Sequence, residues 1–167
     1  MKFSAKTLTL CGVIAAAYTA LTFVSAAFGL AYGPIQLRIS EALTILPIFT
    51  PAAIPALAIG CLLSNLASFN PIDLIFGTLA TLLAAITTRA LRHITVFKIP
   101  MLSILAPVLF NAIIVGFEIS IFYLDGFTMY GFLISALQVG LGELAVLSII
   151  GIPLTVGLTR VSNRLFK

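Results

Sequence analysis

From Thr7 to Phe28 the chain carries no charged side chain, and stretches of the same kind recur almost to its end. Further apolar segments run over residues 39–50, 51–69, 72–90, 99–123 and 128–159, separated by short groups of turn-forming or charged residues. About 20 apolar residues span a bilayer, so four of these segments are long enough to cross on their own. Only 8% of the residues are charged and 61% are hydrophobic, against about a quarter charged in a soluble domain. Such a surface is not kept in water, and lipid must be its solvent. No polar stretch is long enough for a separate soluble domain, so residues 1–167 are expected to form one integral membrane domain: an all-α, polytopic bundle.

Charge placement orients the bundle. Lys2 and Lys6, then Arg89, Arg92 and Lys98, then Arg160, Arg164 and Lys167 account for eight of the nine basic residues. The positive-inside rule puts all three groups, and with them both termini, in the cytoplasm. The chain then crosses an even number of times between Lys6 and Arg89, and again between Lys98 and Arg160. The second interval holds two clear spans. In the first, the region 39–69, interrupted by Pro47, Pro51 and Pro55, counts either as two short helices or as one re-entrant hairpin. Two short helices give six transmembrane spans, which is the expected architecture. A net charge of +4 is thereby explained by membrane orientation, and no nucleic-acid partner is expected. Lys2 and Lys6 ahead of an apolar run also resemble a signal peptide, but the run is longer than a signal core and is read as a retained first helix.

Polar side chains within or beside the spans are the candidate functional residues: Gln36, Arg38, Ser40, Glu41, Asn65, Asp73, Asn111, Glu118, Gln138 and Glu143. An ionisable group at mid-helix costs about 2.5–3.5 kcal/mol on insertion scales unless it is paired, protonated or facing a cavity. Asn111 and Glu118 are seven residues apart and share a helix face, with Glu118 about 10 Å further out at ~1.5 Å per residue. Gln138 and Glu143 fall in the middle of the last span, and these groups converge on the outer half of the bundle. Asn111, Glu118 and Glu143 are read as ligand-binding, with structural pairing as the alternative. Arg38 either anchors the interface, pairs with Glu41 or Asp73, or joins the site. Asp73, two residues after Pro71, reads as a helix cap, and Asp125-Gly126 as a turn. Gly12, Ala16 and Ala20 make a small-residue face on the first helix that permits close helix packing.

The sequence offers little for catalysis. It holds no Walker sequence, no Gly-rich phosphate loop, no His/Cys cluster of metal-ligand spacing and no Ser-His pairing. His93 stands beside Arg92 in a loop, and Cys11 and Cys61 read as buried, inert thiols. No cofactor is expected. A binding or transport role fits better than an enzyme, and active transport by so short a chain requires partner subunits.

The order of motifs resembles the QueT family. The block Tyr32-Gly-Pro-Ile-Gln-Leu-Arg-Ile-Ser-Glu-Ala-Leu43, followed by Leu46-Pro47, is similar to that family's first-loop signature. Gly60 to Asn65, Asp73 to Leu83, Asn111 to Glu118 and Gly140 to Leu144 follow in the order of its later blocks. The resemblance covers about Gly12 to Pro153. It implies a six-helix substrate-binding S component of an energy-coupling factor transporter, working with a transmembrane scaffold (T) subunit and two cytosolic ATPases. It also implies that the face of Gly12, Ala16 and Ala20 docks on the scaffold. The implied substrate is a queuosine precursor, a 7-deazaguanine carrying a 7-aminomethyl or 7-cyano group.

The residues suit such a ligand. A guanine edge presents adjacent N–H donors to a carboxylate and a carbonyl to an Asn or Gln amide, and a second carboxylate can pair with an aminomethyl cation. Glu118, Glu143 and Asn111 supply that set, with Gln36, Asn65 and Gln138 as further amides and the loop carrying Gln36 and Arg38 as a lid. Tyr32, Phe69, Phe117 and Tyr123 are candidate stacking partners. Rival readings are a stand-alone transporter coupled to protons through Glu118 or Glu143, an intramembrane enzyme, and a structural assembly factor.

Overall fold

The computed structural model describes residues 4–31, 36–67, 71–96, 99–124 and 126–165, the side chains from 162 onward excepted. Its regular elements are all helical: α1 (Ala5–Ala27), a 3-10 helix (Ile39–Ile48), α2 (Ala53–Ala67), α3 (Pro71–Leu91), α4 (Met101–Phe122), α5 (Met129–Val146), a π-helical turn (Leu147–Gly151) and α6 (Ile152–Leu165). Each of the first five apolar segments of the sequence became one element, with boundaries shifted by a few residues, and the last, 128–159, became α5, the π turn and α6 in succession. Among the described residues, four helices are long and apolar enough to cross a membrane: Ala5–Ala27, Pro71–Leu91, Met101–Phe122 and the continuous rod Met129–Val161. The chain is thus a multi-pass membrane protein.

Local chemistry explains the helix ends. Ser4 caps α1, its hydroxyl accepting from the Thr7 N–H at 3.2 Å, and Thr128 caps α5 by accepting from Gly131 at 3.0 Å. Inside the helices Thr9, Thr22, Thr81 and Thr155 return their hydroxyl protons to carbonyls four residues back, a local solution where no water is available. Asp73 is not a cap. The helix already begins at Pro71, and Asp73 lies in its first turn, 4% exposed, with its carboxylate turned to Arg38.

Sequential packing of α1 on α2, α2 on α3, α3 on α4 and α4 on α5 makes an arc, and the 3-10 helix sits inside it, touching all five helices and the π turn. Ten residues of 3-10 helix is long for a conformation that rarely exceeds 3–4. At ~2.0 Å rise it reaches about 20 Å, further than the same residues in an α-helix. Pro47 lies within it, and Arg89 Nη1 donates to the carbonyls of Pro47 and Ile48, both at 3.1 Å, satisfying acceptors at its end.

The apolar core, with Ile14, Ile45, Leu46, Leu57, Ile104 and Leu147, gathers around this central segment. Large apolar side chains also cover the perimeter, among them Ile75 (65% exposed), Leu137 (62%) and Ile149 (74%). Polar groups are turned inward instead, the distribution expected of a lipid-solvated bundle.

Candidate functional site

Toward the end of the bundle that carries residues 28–31, 36–38 and 126–128, the interior turns polar. A small cleft there is lined by Gln36, Arg38, Glu41, Gly77, Asn111, Val115, Val139 and Glu143. Five parts of the chain contribute: the segment entering the 3-10 helix, the 3-10 helix itself through Glu41, α3, α4 and α5. Val115 and Val139 belong to a small apolar cluster with Ala80 and form the apolar side. The Gln36 segment lies directly on α5, because residue 142 is glycine: a Cβ there would collide with the Gln36 carbonyl.

Arg38 organises the polar side. Its Nε donates to the Ala31 carbonyl at 2.8 Å and its Nη2 to Asp73 Oδ2 at 3.1 Å, and the side chain is 6% exposed. Of the two carboxylates weighed as its partner, the salt bridge falls to Asp73. Glu41, three residues further on, has one oxygen, Oε1, accepting from the Tyr18 hydroxyl at 2.5 Å. Glu41 Oε2, Glu118 Oε2 and Glu143 Oε1 are buried without a hydrogen-bond partner among the described residues. Asn111 lies beside the Glu143 carboxylate, within interaction range. Glu118, 1% exposed, is within electrostatic reach of Arg38 and Asp73.

Four of the five acidic residues of the chain are therefore buried around a single guanidinium. In a low-dielectric interior one cation balances one carboxylate; the others require protons or a further cation. A ligand bringing positive charge and N–H donors meets both needs.

The structure brings Gln36, Arg38, Asn111 and Glu143 to one cleft and buries Glu118 close by. Asn65 is fully buried at its edge, where its Nδ2 donates to the Asp73 carbonyl at 3.0 Å and ties α2 to α3. Gln138, next to Val139, is partly exposed and does not line the cleft. Among the proposed aromatics, Phe117 packs near Phe127 and Phe132 and is 39% exposed, and Tyr123 is 55% exposed; neither lines the cleft. Tyr32 and Phe69 lie outside the described residues, as do Asp125 of the expected turn and the basic residues Lys2, Lys98 and Lys167. His93 is exposed, as expected of a loop residue. Cys61 is buried, its sulfur 3.3 Å from Thr81 Oγ1, whereas Cys11 is partly exposed and donates to the Ala52 carbonyl at 3.2 Å.

Glu41 was a candidate from the sequence but was not assigned to the ligand-binding set, and Tyr18, its hydrogen-bond partner, was not a candidate at all. Glu41 carried a signal, since it stands in the same block as Gln36 and Arg38. Tyr18 carried none, because an aromatic inside an apolar helix reads as core.

A multi-pass helical bundle with a polar, carboxylate-rich cleft buried within it is the architecture of a membrane protein that binds or moves a polar solute. The family model described as "QueT transporter" matches residues 8–160, and the chain belongs to that family. A protein of Lactococcus lactis subsp. cremoris (strain MG1363), the "Queuosine precursor transporter QueT", is 43% identical over 70 residues. That match covers 42% of this chain and 41% of the relative's length. No solved structure matches.

Proposed function

We propose that the protein is the membrane-embedded substrate-binding S component of an energy-coupling factor transporter that takes up a queuosine precursor. The observation that carries this reading is the surplus of buried carboxylates, Glu41, Glu118 and Glu143 each keeping an unpartnered oxygen beside the Arg38–Asp73 pair. A 7-deazaguanine offers the guanine donors to one carboxylate and its carbonyl to the Asn111 or Gln36 amide. The 7-aminomethyl form adds a cation for a second carboxylate, and is therefore favoured over the neutral 7-cyano form. Six crossings, with both termini and the loop at His93 on the cytoplasmic side of the cell membrane, open the cleft to the outside.

Gly12, Ala16 and Ala20 are all exposed, and a Cβ at Gly12 meets nothing within 4 Å. That leaves this face of α1 available to the transmembrane scaffold subunit, which couples the protein to its two ATPases. Calorimetry with 7-aminomethyl- and 7-cyano-7-deazaguanine on the detergent-purified chain tests the binding reading, and absence of binding to both sinks it. Uptake that persists after loss of the ATPases would instead favour a proton-coupled transporter using Glu118 and Glu143. Thiol labelling of intact cells tests the orientation: a cysteine at His93 must stay unlabelled from outside.

A further inference from the structure

The hydroxyl of Tyr18 is the only group bonded to the carboxylate of Glu41 among the described residues, and it comes from a helix that does not line the cleft. Tyr18 is 0% exposed and held from both sides. Residue 60 on α2 is glycine, and a Cβ there would come within 2.9 Å of both the Tyr18 Cβ and the Ala15 carbonyl, so α1 and α2 approach closely at this level. Neighbouring contacts repeat the attachment of α1 to the segment entering the cleft: the Thr22 and Ser40 hydroxyls are hydrogen-bonded at 2.7 Å, and the Ile39 N–H donates to Ser25 Oγ at 2.9 Å. These bonds hold the start of the 3-10 helix against α1. Within that seam the Tyr18–Glu41 bond occupies one carboxylate oxygen and leaves the other, Oε2, buried and unpartnered in a residue that lines the cleft.

We infer that Tyr18 is a positioning residue of the binding site: its hydroxyl anchors Oε1 of Glu41 so that Oε2 is held ready for the cationic group of the ligand. The inference rests on the proposed function and deepens it, since it makes Glu41 the residue that selects a cationic over a neutral 7-substituent. Without the phenol, Glu41 has two equivalent unanchored oxygens and must be ordered by the ligand itself, which weakens the pairing. The guanine edge, recognised elsewhere in the cleft, is untouched.

The test is calorimetry on the detergent-purified full chain and its Tyr18→Phe variant, which keeps the buried ring, with 7-aminomethyl-7-deazaguanine and the neutral 7-cyano compound. The expected result is a loss of about fivefold or more for the aminomethyl ligand, the size of one ordinary hydrogen bond. The cyano ligand should change by less than about twofold. In a Glu41→Gln background the aminomethyl preference should already be reduced, and adding Tyr18→Phe should lower it no further. Equal weakening of both ligands would make Tyr18 merely structural, and an unchanged ratio would overturn the positioning role while leaving the proposed function intact. A wild-type chain that binds neither compound removes the function and the inference together. Should Tyr18→Phe misfold, Glu41→Gln alone decides, because an unaltered aminomethyl-to-cyano ratio in it overturns the selection.

Discussion

The 3-10 helix and α1 are both apolar segments, yet they hold opposite places in the molecule. Seven of the ten residues of Ile39–Ile48 are buried, whereas five of the 23 residues of Ala5–Ala27 are. The short segment is the axle of the bundle, and the long helix is part of its wall. Length alone ranks them the other way round. A long apolar helix meets its needs in lipid alone, since every backbone bond is internal and its side chains match the solvent. A ten-residue segment carrying Ser40, Glu41, Thr44 and a proline cannot; other helices must surround it and supply partners. Carrying these polar groups on so short a segment therefore forces it to the centre, where a binding cleft can be built.

The comparison breaks first at Arg38, which leads into the central segment. Replacing it with methionine leaves Asp73 buried beside the other carboxylates, and breaking such a pair costs about 3–5 kcal/mol. A thermal melt in detergent should show a large loss, or the variant should fail to purify folded. Stability close to wild type would mean that the pair contributes little to holding α3 against the central segment.

Truncation at matched apolar positions measures the contrast directly. Ile45 is 0% exposed in the 3-10 helix and Leu8 is 64% exposed on α1. Ile45→Ala should cost roughly 2–4 kcal/mol by opening a cavity. Leu8→Ala should stay within about 0.5 kcal/mol, as surface changes do. Similar losses at both would remove the distinction between axle and wall.

Glu118→Gln and Glu143→Gln sharpen the contrast on the ligand side. Each keeps the shape and turns an acceptor oxygen into a donor, so a guanine-like ligand should lose about tenfold in affinity, or ~1.4 kcal/mol, in at least one of them. Calorimetry with a melting control reads this, and unchanged affinity in both returns these carboxylates to structural pairing.

The smallest effect on the isolated protein is expected on the outward face of α1. Ala16→Leu combined with Ala20→Leu should leave melting and ligand binding unchanged, because both positions are exposed. Uptake in cells should nevertheless fall sharply if this face docks on a scaffold helix. Full uptake by the double variant would remove the face from the coupling mechanism.

Much of this was readable in the chain itself. Runs such as Thr7 to Phe28 or the one containing Asn111 and Glu118 determine helices in lipid, because the polar backbone of an apolar run there has no other local way to satisfy its hydrogen bonds. The same logic marks Arg38, Asn111, Glu118 and Glu143 as residues that must find partners, a cavity or a ligand. Sequence also places Asn111 and Glu118 on one face, since helical periodicity is local. What it did not reveal depends on contacts between distant segments. Nothing local says that Arg38 takes Asp73 rather than Glu41, that Tyr18 reaches Glu41 from 23 residues away, or that Gln138 stays off the cleft. Those outcomes follow from how the helices are turned about their axes. In a bundle whose helices are apolar on nearly every side, hydropathy sets no rotation; the few polar pairs and the glycines that admit close approach set it, and they act only once the chain has packed.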